Sequence, residues 1–246
     1  MSWAGSEPWD LYLGVDACGL ARAAYKPGNT PAWQMHTDVE QSIVSAVKEI
    51  RARHGRWRRP RVRVWLSGAL ARPFVVEAVA GLKSLVEAQA LAAAMASDAT
   101  GLEGECEVWL SALPRNDRAL AVAMTLPLHQ AIVSAARQAR VTLACIRPWW
   151  ARALNETLAQ SPDVELFAAE DSDAMVVIGA QGHAWSVAAA YAPKPAPRQH
   201  ESLISRRVLA QGIAPSSIAR VRMQPSVMSG IGAWPPAAAL RSFEEP

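Results

Sequence analysis

Seven arginines, Arg51, Arg53, Arg56, Arg58, Arg59, Arg61 and Arg63, fall within thirteen positions, with His54 and Trp57 among them. A cluster this dense can meet the phosphates of a nucleic-acid backbone, or anionic lipid headgroups or an acidic partner. It can equally be the solvated end of a helix running into a turn and an edge strand. No zinc knuckle, RNA-reading aromatic motif or recognition helix accompanies it, so nucleic acid is the least favoured of these partners. An anionic-surface contact through Arg51, Arg53, Arg56, Arg58 and Arg59 is the functional expectation. The five histidines (His36, His54, His129, His183 and His200) are scattered, and no pair has the spacing with glutamate that zinc chemistry uses. Ser67, in Leu-Ser-Gly-Ala, lacks the frame of a nucleophile elbow and reads as a strand-end turn. These residues imply neither a metal centre nor a catalytic nucleophile.

The chain has 246 residues and is 51% apolar, enough to bury a full core as one large domain or two subdomains sharing a sheet. No apolar run reaches the roughly eighteen residues of a membrane helix. The segment from Trp3 to Asp10 does not read as a secretory signal. Cys18, Cys106 and Cys145 are an odd number at no metal-ligand spacing, which favours buried thiols in a reducing compartment. The expected setting is the cytoplasm. The ten tryptophans are unusual; Trp149-Trp150, Trp65 and Trp109 read as core or seam residues, with two or three others open as partner anchors.

The elements that must position these residues follow from periodicity. Asp10 to Asp16 and Leu20 to Tyr25 read as a hairpin turning at Ala17-Cys-Gly19, with a short third strand around Trp33 and Met35. Thr37 and Glu40 have the spacing of a capping box, opening a helix with Val39, Ile43, Val47 and Ile50 on one face and an end near Gly55. Strict alternation from Arg61 to Ser67 sets Val62, Val64 and Leu66 against Arg61, Arg63 and Trp65. A strand around Phe74 precedes a helix with Leu82, Leu85, Val86, Ala90 and Ala93 on its apolar side, and Lys83 and Glu87 as an exposed pair. Glu107–Ala112 and Arg118–Met124 form a second hairpin. From Arg118 to Leu158 the pattern is strand, helix from Pro127, strand Val141–Ile146, and helix after Pro148, a βαβ crossover implying a sheet with a parallel pair. Strands at Val164–Ala168 and Ala174–Ile178 flank the acidic turn Glu170–Asp173. A strand from His183 to Tyr191, a helix near Gln199–Gln211, a strand near Ile218–Met223 and an irregular tail complete the chain. The hairpin-then-helix opening recurs in degenerate form from residue 164.

This order resembles the actin-like ATPase superfamily, an α/β, ribonuclease H-like class of mixed sheets with flanking helices. Within it the chain is most similar to the PilM/GspL group, cytoplasmic platform proteins of type IV pilus and type II secretion systems. The residues that carry the likeness are Leu13-Gly-Val-Asp-Ala-Cys-Gly19, Val64-Trp-Leu-Ser-Gly-Ala-Leu-Ala-Arg-Pro-Phe74, the Leu82–Ala96 helix with its hairpin, Ala121-Val-Ala-Met-Thr-Leu-Pro-Leu128, Cys145-Ile-Arg-Pro-Trp-Trp150 and Ala174-Met-Val-Val-Ile-Gly-Ala-Gln-Gly182. The resemblance implies a first half over 1–160 with an inserted helix-plus-hairpin subdomain at about 81–124, a truncated second half over 161–223, and a tail over 224–246.

In active members of that superfamily two hairpin turns cradle nucleotide phosphates, with an aspartate orienting Mg²⁺ and glycines admitting the phosphate to backbone N–H groups. The resemblance places these roles on Asp16 and Gly19 in the first turn and on Gly179 and Gly182 in the second. Both turns are degenerate: the first has no hydroxyl, and Gly179 stands where an aspartate is expected. Asp16 also reads as a strand-end residue bonding local N–H groups, and the glycines as ordinary turn residues. The implied function is a non-catalytic scaffold, cytoplasmic and peripheral to the inner membrane, with no catalytic or metal-ligating residue and no required cofactor, ATP binding without hydrolysis remaining open. Its implied partners are a segment of a bitopic membrane protein and the assembly ATPase, with an anionic lipid surface beside them. The alternative is an ATPase or phosphotransferase using Asp16.

Overall fold

The computed structural model describes residues 8–22, 32–35, 38–54, 59–114, 117–181, 184–210 and 218–222. The central sheet has the order β3-β2-β1-β4-β8, made of β1 (Trp9–Leu13), β2 (Ala17–Arg22), β3 (Ala32–Met35), β4 (Arg61–Leu66) and β8 (Thr142–Pro148). The three opening strands are antiparallel, whereas β4 runs parallel to β1 and β8 parallel to β4. One face, formed by Leu11, Leu13, Val62, Val64 and Leu66, packs on Ile43, Val47 and Ile50 of α1 (Val39–Ala52) and on Ile132 of α3 (Leu126–Gln138). Alternation sends Tyr12 and Trp65 to the opposite face, as a strand period of two requires.

That opposite face meets the rest of the chain. Trp149, Trp150 and Leu154 of α4 (Trp149–Gln160) form one core with Tyr12, Trp65, Phe167, Ala169, Val176 and Ile178. The last four belong to a second sheet of order β11-β10-β9-β12, built from β9 (Leu166–Glu170), β10 (Met175–Gln181), β11 (Ala184–Tyr191) and β12 (Ile218–Arg222). Here β9 and β10 are antiparallel and β12 is parallel to β9, with α5 (Pro197–Ala210) between β11 and β12 in the chain. The pairing repeats that of β1, β2, β3, α1 and β4.

A third sheet, β5-β7-β6, joins β5 (Arg72–Val76), β6 (Cys106–Leu110) and β7 (Ala119–Thr125) and carries α2 (Leu85–Thr100) on one face. The unit that holds α2 and the hairpin therefore also contains β5.

Several expectations change in the structure. The strand–helix–strand run does not close on itself: β7 lies in the third sheet, and β8 crosses to pair with β4. Periodicity identifies the elements, but pairing is decided by tertiary packing. The first hairpin turns at 14–16, and Ala17 to Gly19 already belong to β2. The cap of α1 is Asp38, whose carboxylate accepts from the Glu40 and Gln41 amides; Thr37 lies outside the described residues. On α2 the buried line is Ala88, Ala92 and Ala96, while Leu85 and Val86 are 49% and 74% exposed. Small side chains let the helix sit close to the sheet, so the bulky ones are left outside. Glu87 acts in the cap, accepting from the Lys83 amide while its own amide donates to Ser84 Oγ.

Candidate functional site at the meeting of two hairpin turns

The β1–β2 turn and the β9–β10 turn occupy equivalent places in the two related sheets, and they touch. The second turn is Asp171-Ser-Asp173. Asp171 is 2% exposed, and both its oxygens are fully used. Oδ1 accepts from the Asp173 and Ala174 amides at 2.8 and 2.7 Å, shaping its own turn. Oδ2 reaches into the other half, to the Gly68 amide at 2.8 Å and Trp149 Nε1 at 2.7 Å. Burial pushes this carboxyl up, and the N–H donors, Gly68 first and Trp149 next, pull it back. Gly68 has to be glycine for packing reasons, because a Cβ there would run into Val176 Cγ2.

Two residues on, Asp173 Oδ2 accepts the Val15 amide at 2.6 Å, and Ser172 Oγ donates to Asp173 Oδ1 at 2.6 Å. A Cβ at Gly14 would collide with Asp173 Oδ2, so this glycine admits a carboxylate of the same chain. The Gly14 amide donates to Ala17 O at 2.8 Å and closes the first turn. Behind the two turns lies Tyr12, 1% exposed, whose phenol is held well above its ordinary range by burial and by the Asp171 and Asp173 carboxylates. Beyond Asp171, Lys194 Nζ donates to its carbonyl at 2.9 Å and pairs with Glu170 Oε2 at 3.5 Å. His200 meets Glu170 Oε1 at 3.1 Å and Pro195 O at 2.8 Å, tying α5 to the end of β9.

Asp16 is exposed in the first turn, one residue from the Val15 contact. Gly19 lies inside β2, paired with Tyr12 and Trp33. Gly179 is in the middle of β10, opposite Leu166 and Val187 at a register shift, with their side chains packed against it. Gly182 lies outside the described residues. The turn that faces residues 14–16 is therefore 171–173, not 179–182. Gly179, which the resemblance gives to the second turn, is a strand residue of β10. The facing turn has two carboxylates and a hydroxyl, all of them engaged within the protein. Asp171 and Asp173 were legible only as an acidic turn.

Of the arginines, Arg53 pairs with Glu49 and lies over the Trp9 ring at 5.4 Å. Arg51 ends α1, Arg59 is exposed, and Arg56 and Arg58 lie outside the described residues. Arg63 turns inward to chelate Asp10 at 2.6 and 2.7 Å, and Trp65 Nε1 donates to the same carboxylate at 2.8 Å. It is a structural ion pair.

The Val15 amide already has an anionic acceptor, and a phosphate arriving there would meet the Asp173 carboxylate at Coulombic cost. Asp171 accepts four N–H donors across its two oxygens. Among the described residues no group of three His, Cys, Asp or Glu side chains could hold a metal.

No protein-family model matches the sequence, and no curated protein sequence matches it. Solved structures do match in fold. The cytoplasmic domain of EpsL, an inner-membrane component of the type II secretion system of Vibrio cholerae, superposes with a TM-score of 0.55 at 14% identity, over 89% of this chain and 83% of that one. PilM in the PilM–PilN type IV pilus biogenesis complex gives 0.53 at 14% identity, over 83% and 68%. A Bacteroides thetaiotaomicron protein with an actin-like ATPase fold and unknown function gives 0.53 at 11% identity, over 91% and 84%. The chain has the actin-like fold, built in the same way as the cytoplasmic domain of EpsL and as PilM.

Proposed function

We propose that this protein is a non-catalytic scaffold on the cytoplasmic face of the inner membrane, part of the platform of a pilus or type II secretion machine. It captures a segment of a membrane partner, as the PilM–PilN complex and the inner-membrane setting of EpsL suggest for folds of this kind. The observation that carries the non-catalytic part is the Val15–Asp173 contact. Phosphoryl transfer depends on amides, carboxylates and a metal pre-aimed at the phosphates. Here one turn's carboxylate satisfies the other turn's amide, and the second carboxylate holds the halves together. What remains is a rigid shape with two sheets joined through one core, suited to holding other proteins. Among the described residues no helix is long and apolar enough to cross a membrane. A contact with the assembly ATPase belongs to the same reading.

Calorimetric titration with ATP and Mg²⁺ tests the catalytic part, and capture of a single-span membrane protein from detergent-solubilised inner membranes tests the platform part. The expected results are no Mg²⁺-dependent heat and recovery of one bitopic partner. Turnover of ATP that disappears in Asp16→Ala would replace this reading with that of a phosphotransferase.

A further inference from the structure

The two crossover helices and the parallel strands bring basic residues far apart in sequence to one end of the central sheet. Because β4 and β8 are parallel, with Arg61 level with Thr142, the segments entering both strands lie side by side. The Thr142 amide donates to Pro60 O at 2.8 Å, fixing that contact. Arg59 and Arg61 therefore stand beside the end of α3, where Arg137 is exposed in the last turn and Arg140, at φ 54°, turns the chain into β8. The end of α1 joins them with Arg51 and Arg53, since α1 packs on α3 and His54 and Arg53 sit against Trp9 at the start of β1. Glu49 stands among them and is taken by Arg53. Arg59, Arg61, Arg137 and Arg140 have no acidic partner among the described residues. A basic residue in a helix's last turn complements the carbonyl end of the helix, which accounts for Arg51 and Arg137. It does not account for Arg59 and Arg61, which precede and open a strand.

We propose that this end of the sheet, opposite the meeting of the two turns, is a docking face for anionic lipid headgroups. Among the described residues it offers charge without an apolar anchor: Trp9, Ile50, Val62 and Val141 beside it are all buried. A protein partner needs an anchor at the centre of its footprint. A headgroup layer needs only several cations on one side, each strengthening partitioning by roughly fivefold near an anionic surface. The face differs from the sequence cluster in composition, since Arg63 is spent on Asp10 while Arg137 and Arg140 are recruited from another part of the chain. The choice of a membrane rests on the platform reading. The test uses purified protein and lipid alone, so its failure leaves partner capture untouched.

Flotation of the full chain with phosphatidylcholine vesicles, with and without phosphatidylglycerol, tests the proposal. The protein should float only with the anionic vesicles, progressively less as salt rises. Arg61→Gln combined with Arg140→Gln should weaken partitioning by roughly 25-fold, two steps of the per-arginine factor. Arg118→Gln, on the third sheet, should leave it unchanged; unaltered circular dichroism excludes misfolding as the cause. Equal recovery with both vesicle types, or a double variant that floats like the parent, overturns the assignment. Retention on polyglutamate or duplex DNA with no flotation overturns it too, in favour of a different polyanion.

Discussion

Asp173 takes the Val15 amide at 2.6 Å across a separation of 158 residues, so a carboxylate of the β9–β10 turn sits on the first turn. Gly14, next to it, has no room for a Cβ because of that carboxylate. The two positions are thus coupled, and the coupling is measurable. Gly14→Ala should destabilise by about 1–3 kcal/mol through overpacking. Asp173→Ala, which releases an amide near solvent, should cost about 1 kcal/mol. In the Asp173→Ala background the Gly14→Ala penalty should shrink by about 1 kcal/mol, since the colliding oxygen is gone while Ala17 O, 3.1 Å from the new Cβ, remains. Urea unfolding of the four proteins reads the cycle, and strict additivity would mean the turns do not meet.

Asp171 is the stronger clamp. Asp171→Ala leaves the Gly68 amide and the Trp149 indole without their acceptor in a buried seam, together with two amides of its own turn. At roughly 1–3 kcal/mol for each buried donor left unsatisfied, the loss should exceed about 3 kcal/mol, more than either change at the first turn. The Trp149 side chain should report it by a shift of emission towards that of a hydrated indole. A loss below that of Asp173→Ala would show that the indole and amide find other acceptors.

The Tyr12 phenol gives a pH dependence of known sign. Its folded pKa is raised well above the ordinary value by burial, with the Asp171 and Asp173 carboxylates adding to it. The unfolded chain ionises this tyrosine near pH 10 while the native state keeps the proton. The stability associated with Tyr12 is therefore fully present below that pH and is lost as pH rises above it. The phenolate absorbance of Tyr12 should appear only when the protein unfolds. Tyr12→Phe should remove both that delayed phenolate and the corresponding share of the alkaline slope. A full complement of native phenolates appearing before unfolding would contradict the burial.

How much of this was legible in the sequence differs by element. The strand β4 was, because Val62, Val64 and Leu66 face α1 and α3 while Arg63 and Trp65 face Asp10, as alternation demands. The tandem Trp149-Trp150 was also legible as a seam: Trp150 Nε1 donates to Ala71 O at 2.9 Å and Trp149 reaches Asp171. The outward face of α2 was not. Apolar counting put Leu85 and Val86 in the core, whereas close helix–sheet approach selected Ala88, Ala92 and Ala96. The partners of β7 and β8 were not legible either, because a strand's neighbours are set by contacts between distant segments. The site failed for a related reason. Which end of the second sheet meets the first turn is decided by contacts between distant segments, Val15 with Asp173 and Gly68 with Asp171, and no local pattern around Gly179 or Asp171 reveals them.

That last distinction yields a test at Gly179. In a phosphate-cradling turn this glycine would be needed for backbone approach, and alanine would be costly. In the middle of β10 its φ is ordinary, and an added Cβ meets Leu166 Cδ1 and Val187 Cβ at 3.4 Å and Glu165 O at 3.5 Å, close to normal packing distance. Alanine also loses less backbone entropy than glycine on folding, by about 0.5–1 kcal/mol, which offsets the crowding. Gly179→Ala should therefore lie within about 1 kcal/mol of the parent in thermal or urea unfolding. A penalty several times larger would place Gly179 in a tight turn and return the second phosphate-loop position to residues 179–182. A near-neutral result together with a severe Asp171→Ala phenotype would fix the facing turn at 171–173.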